Sequence, residues 1–181
     1  MIASEKYSRL LLAQEAISIR PYDCDFTHDV WETCSLRRYL NTIFLNRFAP
    51  AEKRKLIKKR LKNLPNPIFG TSGGSDTYDY VFVLSLEEID MYITRIKLPM
   101  NGLTDYSDID VNVYCDDNNI YRIALYQKEP VSWWLRTPGV SDSSAVAVLS
   151  DGGICVAGLD LNAIMDLGGV GVRPAIWVKE I

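Results

Sequence analysis

Histidine is nearly absent from this chain: His28 is the only one among 181 residues. That leaves no second imidazole for a metal site and no credible Ser/His/Asp set with His28 as its base. Cysteine is sparse and scattered. Cys24, Cys34, Cys115 and Cys155 never form C-x-x-C, so no zinc site is expected, and four buried, reduced thiols are. Long apolar runs are missing too. No stretch approaches the roughly 20 residues needed to span a bilayer. The N-terminus has no basic region followed by an apolar segment, so no signal peptide is read. No internal repeat, low-complexity tract or domain boundary interrupts the chain. The whole of 1–181 is expected to fold as one domain, long enough to bury a core.

What is there is ordinary in bulk: 48% hydrophobic and 24% charged residues, as in most globular proteins. The net charge of −3 conceals one basic stretch. Lys53, Arg54, Lys55, Lys58, Lys59, Arg60 and Lys62 crowd the segment "KRKLIKKRLK". Leu56, Ile57, Leu61 and Leu64 recur at helical spacing, which predicts an amphipathic helix over 53–62 with a basic outer face. Pro50 and Glu52 suit its start. A solvated helix face is the ordinary reading. Nucleic-acid binding is the alternative, without the aromatic interleaving or recognised motif that would favour it.

A second helix is predicted in "CSLRRYLNTIFLNRF", where Leu36, Tyr39, Leu40, Ile43, Phe44 and Phe48 share a face and Thr33 or Ser35 is the N-cap. Ahead of it, "SRLLLAQEAISI" reads as a buried strand. The loop "NLPNPIFGTSGGSD" carries Gly70, Gly73 and Gly74. A phosphate cradle would follow a strand and open a helix. This loop precedes the strand "DYVFVLS" and has no lysine, so it is read as structural. Ser85 and Glu88 form a capping box for a short helix. In "TDYSDIDVNVYCDDNN", Asp108, Asp110 and Asn112 match the first ligands of a calcium loop. Val113 and Asn119 stand where glycine and glutamate are needed. The alternation of Ile109, Val111 and Val113 is read as a strand with one wet face, and no metal is expected.

From Ser132 onward the chain is β-rich. "SWWLR" is a strand ended by Pro138–Gly139, and "SAVAVLSDGGICVAG" is a hairpin turning at Asp151–Gly152. "VGVRPAIWV" is a last strand, with Pro174 at an edge or bulge. Strands and helices are segregated, which predicts an α+β fold with a mixed, mainly antiparallel sheet and two amphipathic helices packed on it. Alternation along "SWWLR" puts Trp133 and Leu135 on an apolar side and Ser132, Trp134 and Arg136 on the other. Leu36, Leu40, Ile43, Phe44, Trp133 and Leu135 are the predicted core. Trp134 is either a cleft residue or a structural one under a loop. Cation–π contact with Arg136 or Arg173 is open to it.

Four segments carry a resemblance: "WETCSLRRYLNTIF", "NPIFGTSGGSDTYDYVFVLSLEE", "SWWLRTPG" and "GVGVRPAIWV". They resemble an uncharacterised bacterial and phage domain family with signatures close to "CSLRxWLN", "WWLRSPG" and "GVRPALW". Through the Trp-strand and "GVRPA" the chain is also similar to the C-type-lectin-like fold of formylglycine-generating enzymes and of the variable proteins of diversity-generating retroelements. The resemblance implies that the terminal strands pair and that a ligand face lies between the Trp-strand and the last strand. It marks Trp133, Trp134, Leu135, Arg136, Gly139, Gly171, Arg173, Pro174 and Trp177 as fold signatures. The face would display Ser141, Asp142, Ser143, Ser144, Ser150, Asp151, Asp160, Asn162 and Asp166, with Trp134 and Arg136 at its base. The family opens with a Trp-bearing strand where this chain has "MIASEKYSRLLL", so a fragment, a late start or the end of a longer protein is expected.

The expected function is a non-enzymatic module, without cofactor, that recognises a protein or glycan and is of the retroelement-diversified kind. Its expected location is cytoplasmic or on a phage particle. The alternatives are a nucleic-acid or phage accessory protein acting through 53–62, and a formylglycine-generating enzyme. The latter chemistry would need a close pair of reactive cysteines, and Cys115 and Cys155 lie far apart in sequence.

Overall fold

The computed structural model describes residues 1–24, 30–94, 113–115, 117–160 and 169–180. The chain opens with a hairpin of β1 (Ala3–Glu5) and β2 (Ser8–Leu12), followed by β3 (Ser18–Ile19). The "SRLLLAQEAISI" segment is therefore two strands rather than one. The helical segment α1 runs as an α-helix over Ser35–Tyr39, a wider π turn over Leu40–Phe44 and a tight turn over Leu45–Arg47. Cys34 is its N-cap, with Sγ accepting from the Arg37 N–H at 3.4 Å. Neither expected cap serves. The Ser35 hydroxyl accepts from the Cys24 N–H, and Thr33 reaches back to the Val30 carbonyl. The π turn shifts the helical phase. Leu36 and Leu40 stay buried and Phe44 packs on the core, but Ile43 turns outward, 61% exposed. Ile43 is thus not a core residue.

The basic stretch is not a helix. Helix α2 spans only Pro50–Lys53, and β4 (Leu56–Ile57) and β5 (Lys59–Leu61) follow. Pairing with other strands overrides local periodicity here. Leu56 and Leu61 are buried from two short strands that part at Lys58. After them come β6 (Thr77–Asp79), β7 (Val81–Phe82) and α3 (Leu86–Ile89). The Ser85–Glu88 capping box closes as expected. Next are β8 (Val113–Tyr114), α4 (Asn119–Arg122), a hairpin of β9 (Ala124–Tyr126) and β10 (Glu129–Val131), and β11 (Trp133–Pro138). The hairpin of β12 (Ser144–Val148) and β13 (Ile154–Asp160) turns where the sequence predicts, with Gly152 at φ +85. The chain ends in β14 (Gly171–Val172) and β15 (Ala175–Lys179).

Among the described residues these strands form two main sheets. One has the order β1-β2-β15-β4, with β7 also on β15. The other has the order β3-β14-β11-β12-β13-β8. All the main-sheet pairs are antiparallel except β11 with β14. The fold is α+β and mainly antiparallel. The terminal strands pair, from Ala175↔Leu12 to Lys179↔Ser8.

"VGVRPAIWV" is not one strand at an edge. It changes sheets at Arg173–Pro174, because proline has no N–H with which to continue the ladder; β15 then lies inside its sheet. Buried side chains from both sheets and α1 join one hydrophobic cluster. No described helix is long and apolar enough to cross a membrane. His28, the expected strand positions Ile109 and Val111, the calcium-loop positions Asp108, Asp110 and Asn112, and the face positions Asn162 and Asp166 lie outside the described residues.

Candidate functional site

Every residue of β11 is buried, on both faces. Trp133 is core, as expected, at 0% exposure. Its indole N–H donates to the Arg122 carbonyl at 3.0 Å, and the Arg173 guanidinium lies 4.9 Å from its ring centre. Trp134 is also at 0%, so of its two readings, a cleft residue or a structural one under a loop, the second holds. Tyr22 packs edge-on against it at 5.6 Å, Trp31 packs on Tyr22, and the Trp134 indole N–H is spent on the Arg20 carbonyl at 2.9 Å. The N-terminal turn before α1 supplies this cover, a long-range contact that strand alternation cannot foresee. Of the two arginines open to Trp134, Arg173 stacks on Trp133 and Arg136 lies near Phe82.

Arg136 is likewise a core residue, 4% exposed. It forms a two-pronged ion pair with Glu88, with one prong at 3.0 Å, and donates to the Val83 carbonyl at 3.0 Å. A bidentate, charge-assisted pair of this kind fixes α3 against β11.

The expected face divides between the two ends of the β12–β13 hairpin. At one end the β11–β12 connection exposes Asp142 and Ser143, with Ser141 half-buried. Asp160, exposed, lies opposite Ser144 in the pairing register. Ser144 itself is buried and accepts from the Ser141 N–H at 3.1 Å, tying the turn. Gly139 is required there: a Cβ would stand 2.3 Å from the Ala157 carbonyl oxygen. At the other end Asp151 is exposed and accepts from the Gly153 N–H at 2.9 Å. The five residues of β12 hold the two ends roughly 16 Å apart. A single face over 140–168 is therefore not what the described residues present.

The Asp151 end is concave. A groove of about 710 Å³ runs between the β9–β10 hairpin and the β12–β13 turn. Tyr126, Gln127, Glu129 and Ser132 line one wall, and Leu149, Ser150 and Asp151 the other. The two-residue turn of the β9–β10 hairpin is Gln127–Lys128, at φ +53 and +74. Glycine or asparagine normally fills such positions. Side chains there cost about 1–2 kcal/mol each, held by the pairing of Tyr126 with Glu129.

Several structural residues carry no sequence signal of their own. Asp79, 1% exposed, accepts from the Arg37 side chain, the Trp31 indole and the Thr77 hydroxyl. Asn66 satisfies all its amide groups: it donates to the Pro138 and Val156 carbonyls and accepts from the Ile68 and Phe69 N–H groups. It anchors the glycine loop, in which a Cβ on Gly73 would meet the Asn63 carbonyl oxygen at 2.4 Å. That loop is structural, as read. Asn41, in the "CSLRRYLN" segment, clamps the Tyr80–Val81 backbone in the same way. Of the cysteines, all free, Cys34 and Cys155 are buried but Cys24 and Cys115 are exposed. Burial pushes the Cys34 thiol up to about 12 and raises Cys155 as well. Desolvation lowers Arg173 to about 10. Among the described residues no cluster of His, Cys, Asp and Glu could hold a metal ion.

Residues 7–180 match the family model of a domain of unknown function, DUF6273. The chain belongs to this family. The match covers every strand but β1, and the whole α1 segment, so the DUF6273 domain includes the β2–β15 pair, β11 and the groove. No curated protein and no solved structure matches the chain.

Proposed function

We propose that this DUF6273 chain is a non-enzymatic recognition module and that it takes a segment of protein or glycan in the groove between the β9–β10 hairpin and the β12–β13 turn. One observation carries the reading. Ser150 and Asp151, members of the expected face, here line a concavity of about 710 Å³, a volume typical of ligand sites. The strained Gln127–Lys128 turn beside it is of the kind that collects at binding sites. The wall offers Tyr126, Glu129, Asp151 and two serines, an aromatic surface ringed by hydrogen-bonding groups. A C-type-lectin-like fold is part of the proposal, supported by the pairing of β2 with β15. So is diversification by a retroelement, which sequencing the locus across isolates of one lineage would test by locating the variable codons.

The binding test uses the whole chain on peptide and glycan arrays. Any ligand found is titrated against two double variants. Glu129→Ala with Asp151→Ala should abolish binding, and Asp142→Ala with Ser143→Ala should not. If the second pair removes binding and the first leaves it intact, the groove is the wrong end of the hairpin. If charge reversal at Lys55, Lys58 and Lys62 alone removes it, the basic segment is the site.

A further inference from the structure

Among the described residues the buried and half-buried arginines have hydrogen-bond acceptors, with one exception. Arg37 has Asp79 and Arg136 has Glu88. Arg122 and Arg173 donate to carbonyls. Arg20 has neither. Its guanidinium lies 3.6 Å above the centre of the Tyr39 ring, and its Nε is buried without a hydrogen-bond partner. Its backbone is pinned on both sides, the N–H donating to the Val170 carbonyl and the carbonyl accepting from Trp134. The side chain is therefore held over the ring by the fold. Stacking on an aromatic face leaves the edge of the guanidinium, where the donors are, pointing away from the ring.

Arg20 lines a pocket of about 190 Å³ between the Arg20–Cys24 turn and the first turns of α1. A second arginine, Arg38, lines it, as do Ser35 and Thr42. Among the described residues Arg38 has no ion pair. Ser35 accepts from the Cys24 N–H at 2.8 Å through its oxygen, which leaves the hydroxyl proton to donate. No carboxylate lines the pocket. Asp23, beside Cys24 in sequence, is buried and its carboxylate accepts from the Ser35 N–H at 2.9 Å; Asp25, on the other side of Cys24, lies outside the described residues. Leu36, Ile43 and Pro21 make an apolar wall beside the donors.

We propose that this pocket binds the phosphate group of a small phosphorylated molecule, with Arg20 and Arg38 as the charged clamp, Ser35 as a neutral donor and the Leu36–Ile43 wall against the organic part. Among the described residues, two guanidinium groups without a carboxylate partner, a hydroxyl donor and a lining that holds no carboxylate select an oxyanion. The planar fork of arginine fits the oxygens of phosphate two at a time. The volume exceeds that of a few waters, about 30 Å³ each, so it holds a phosphate with a small substituent and not a polymer. The pocket shares no lining residue with the proposed groove, and the proposal stands whether or not that reading does.

The test is titration of the intact chain with inorganic phosphate and with phenyl phosphate, at constant ionic strength, by calorimetry. Saturable binding of both is expected, tighter for phenyl phosphate. Arg20→Gln and Arg38→Gln should each weaken it more than tenfold, and Arg20→Lys should weaken it less than Arg20→Gln, because charge remains and the fork is lost. Bound phenyl phosphate should also slow alkylation of Cys24, which lines the pocket, and leave Cys115 unaffected. If Arg20→Gln does not fold, Arg38→Gln and Ser35→Ala, on exposed and half-buried positions, carry the test. No saturable response, an unchanged affinity in Arg38→Gln, or tighter binding of phenylacetate than of phenyl phosphate would overturn the proposal.

Discussion

The β11 strand and the connection that follows it, residues 139–143, are adjacent in sequence and opposite in character. Both carry residues that suggest a binding site, two tryptophans and an arginine in the strand and Ser141, Asp142 and Ser143 in the connection. In β11 they are consumed by the fold: Trp134 donates to Arg20, Arg136 pairs with Glu88, and the Thr137 hydroxyl accepts from the Leu86 N–H. In the connection Asp142 and Ser143 face water. The difference teaches that a distinctive motif here reports a demanding core rather than a ligand. A buried strand with two indoles and a guanidinium needs specific partners on both faces, so its sequence is conspicuous. The groove walls need fewer partners, and their sequence is plain.

The largest effect is expected on removing Trp134. Trp134→Ala should destabilise the protein by about 3–5 kcal/mol, the usual loss for a large core side chain, read from denaturant midpoints at constant slope. A Trp134→Ala variant with an unshifted midpoint would place this residue with the surface loops. Next in size is Glu88→Gln. Glutamine keeps the cap of α3 but leaves Arg136 charged and unmatched, at a cost of about 2–3 kcal/mol, reduced somewhat because Glu88 keeps partial contact with water. Adding Arg136→Met should recover much of that loss. If the double variant is instead no more stable than Glu88→Gln alone, the pair is not what Arg136 contributes.

The same contrast explains what was legible beforehand. The α+β class, the Asp151–Gly152 turn, the Ser85–Glu88 box and the extent of β11 follow from local rules, since turn chemistry and caps act over a few residues. The helix expected at 53–62 does not form, because Leu56 and Leu61 reach the core equally well from strands, and β15 and β6 supply the pairing. Ile43 is exposed because a π turn changes the phase that simple spacing assumes. Trp134 is buried because Tyr22 covers it, over a separation that alternation ignores. For the site, Asp151 and Ser150 were legible as loop polarity. The opposite wall, Gln127 and Glu129, was not, because two turns distant in sequence make the groove only when folded.

A smaller effect depends on pH. Burial raises the Cys34 thiol to about 12 from an ordinary 9.0. The folded state then keeps the thiol neutral where the unfolded chain ionises it. The stabilisation is fully present below about pH 9 and is lost as pH rises toward 12. Between pH 8.5 and pH 10 the loss should be about 1 kcal/mol. Tyrosines also ionise in this range, so the comparison is with Cys34→Ala, whose stability should fall less steeply. Equal slopes would mean that Cys34 is open to water when folded.

The smallest effects are expected in the 139–143 connection itself, and they separate residues that look alike in sequence. Asp142, Ser143 and Ser144 are three neighbouring small polar residues, all expected on one displayed surface. Asp142 and Ser143 are exposed, and replacing either by alanine should shift stability by no more than about 0.5 kcal/mol. Ser144 is buried, and its oxygen accepts from the Ser141 N–H. Removing that acceptor leaves a donor without its partner, so Ser144→Ala should cost about 1 kcal/mol or slightly more. The ordering matters more than the sizes. If Ser144→Ala is as silent as Asp142→Ala, the turn is not tied as described, and the whole connection is free to act as a recognition loop. If Ser144 alone is costly, the tied turn sets Asp142 and Ser143 on a fixed platform facing away from the groove. Ligand binding at Asp151 should then be indifferent to both of them.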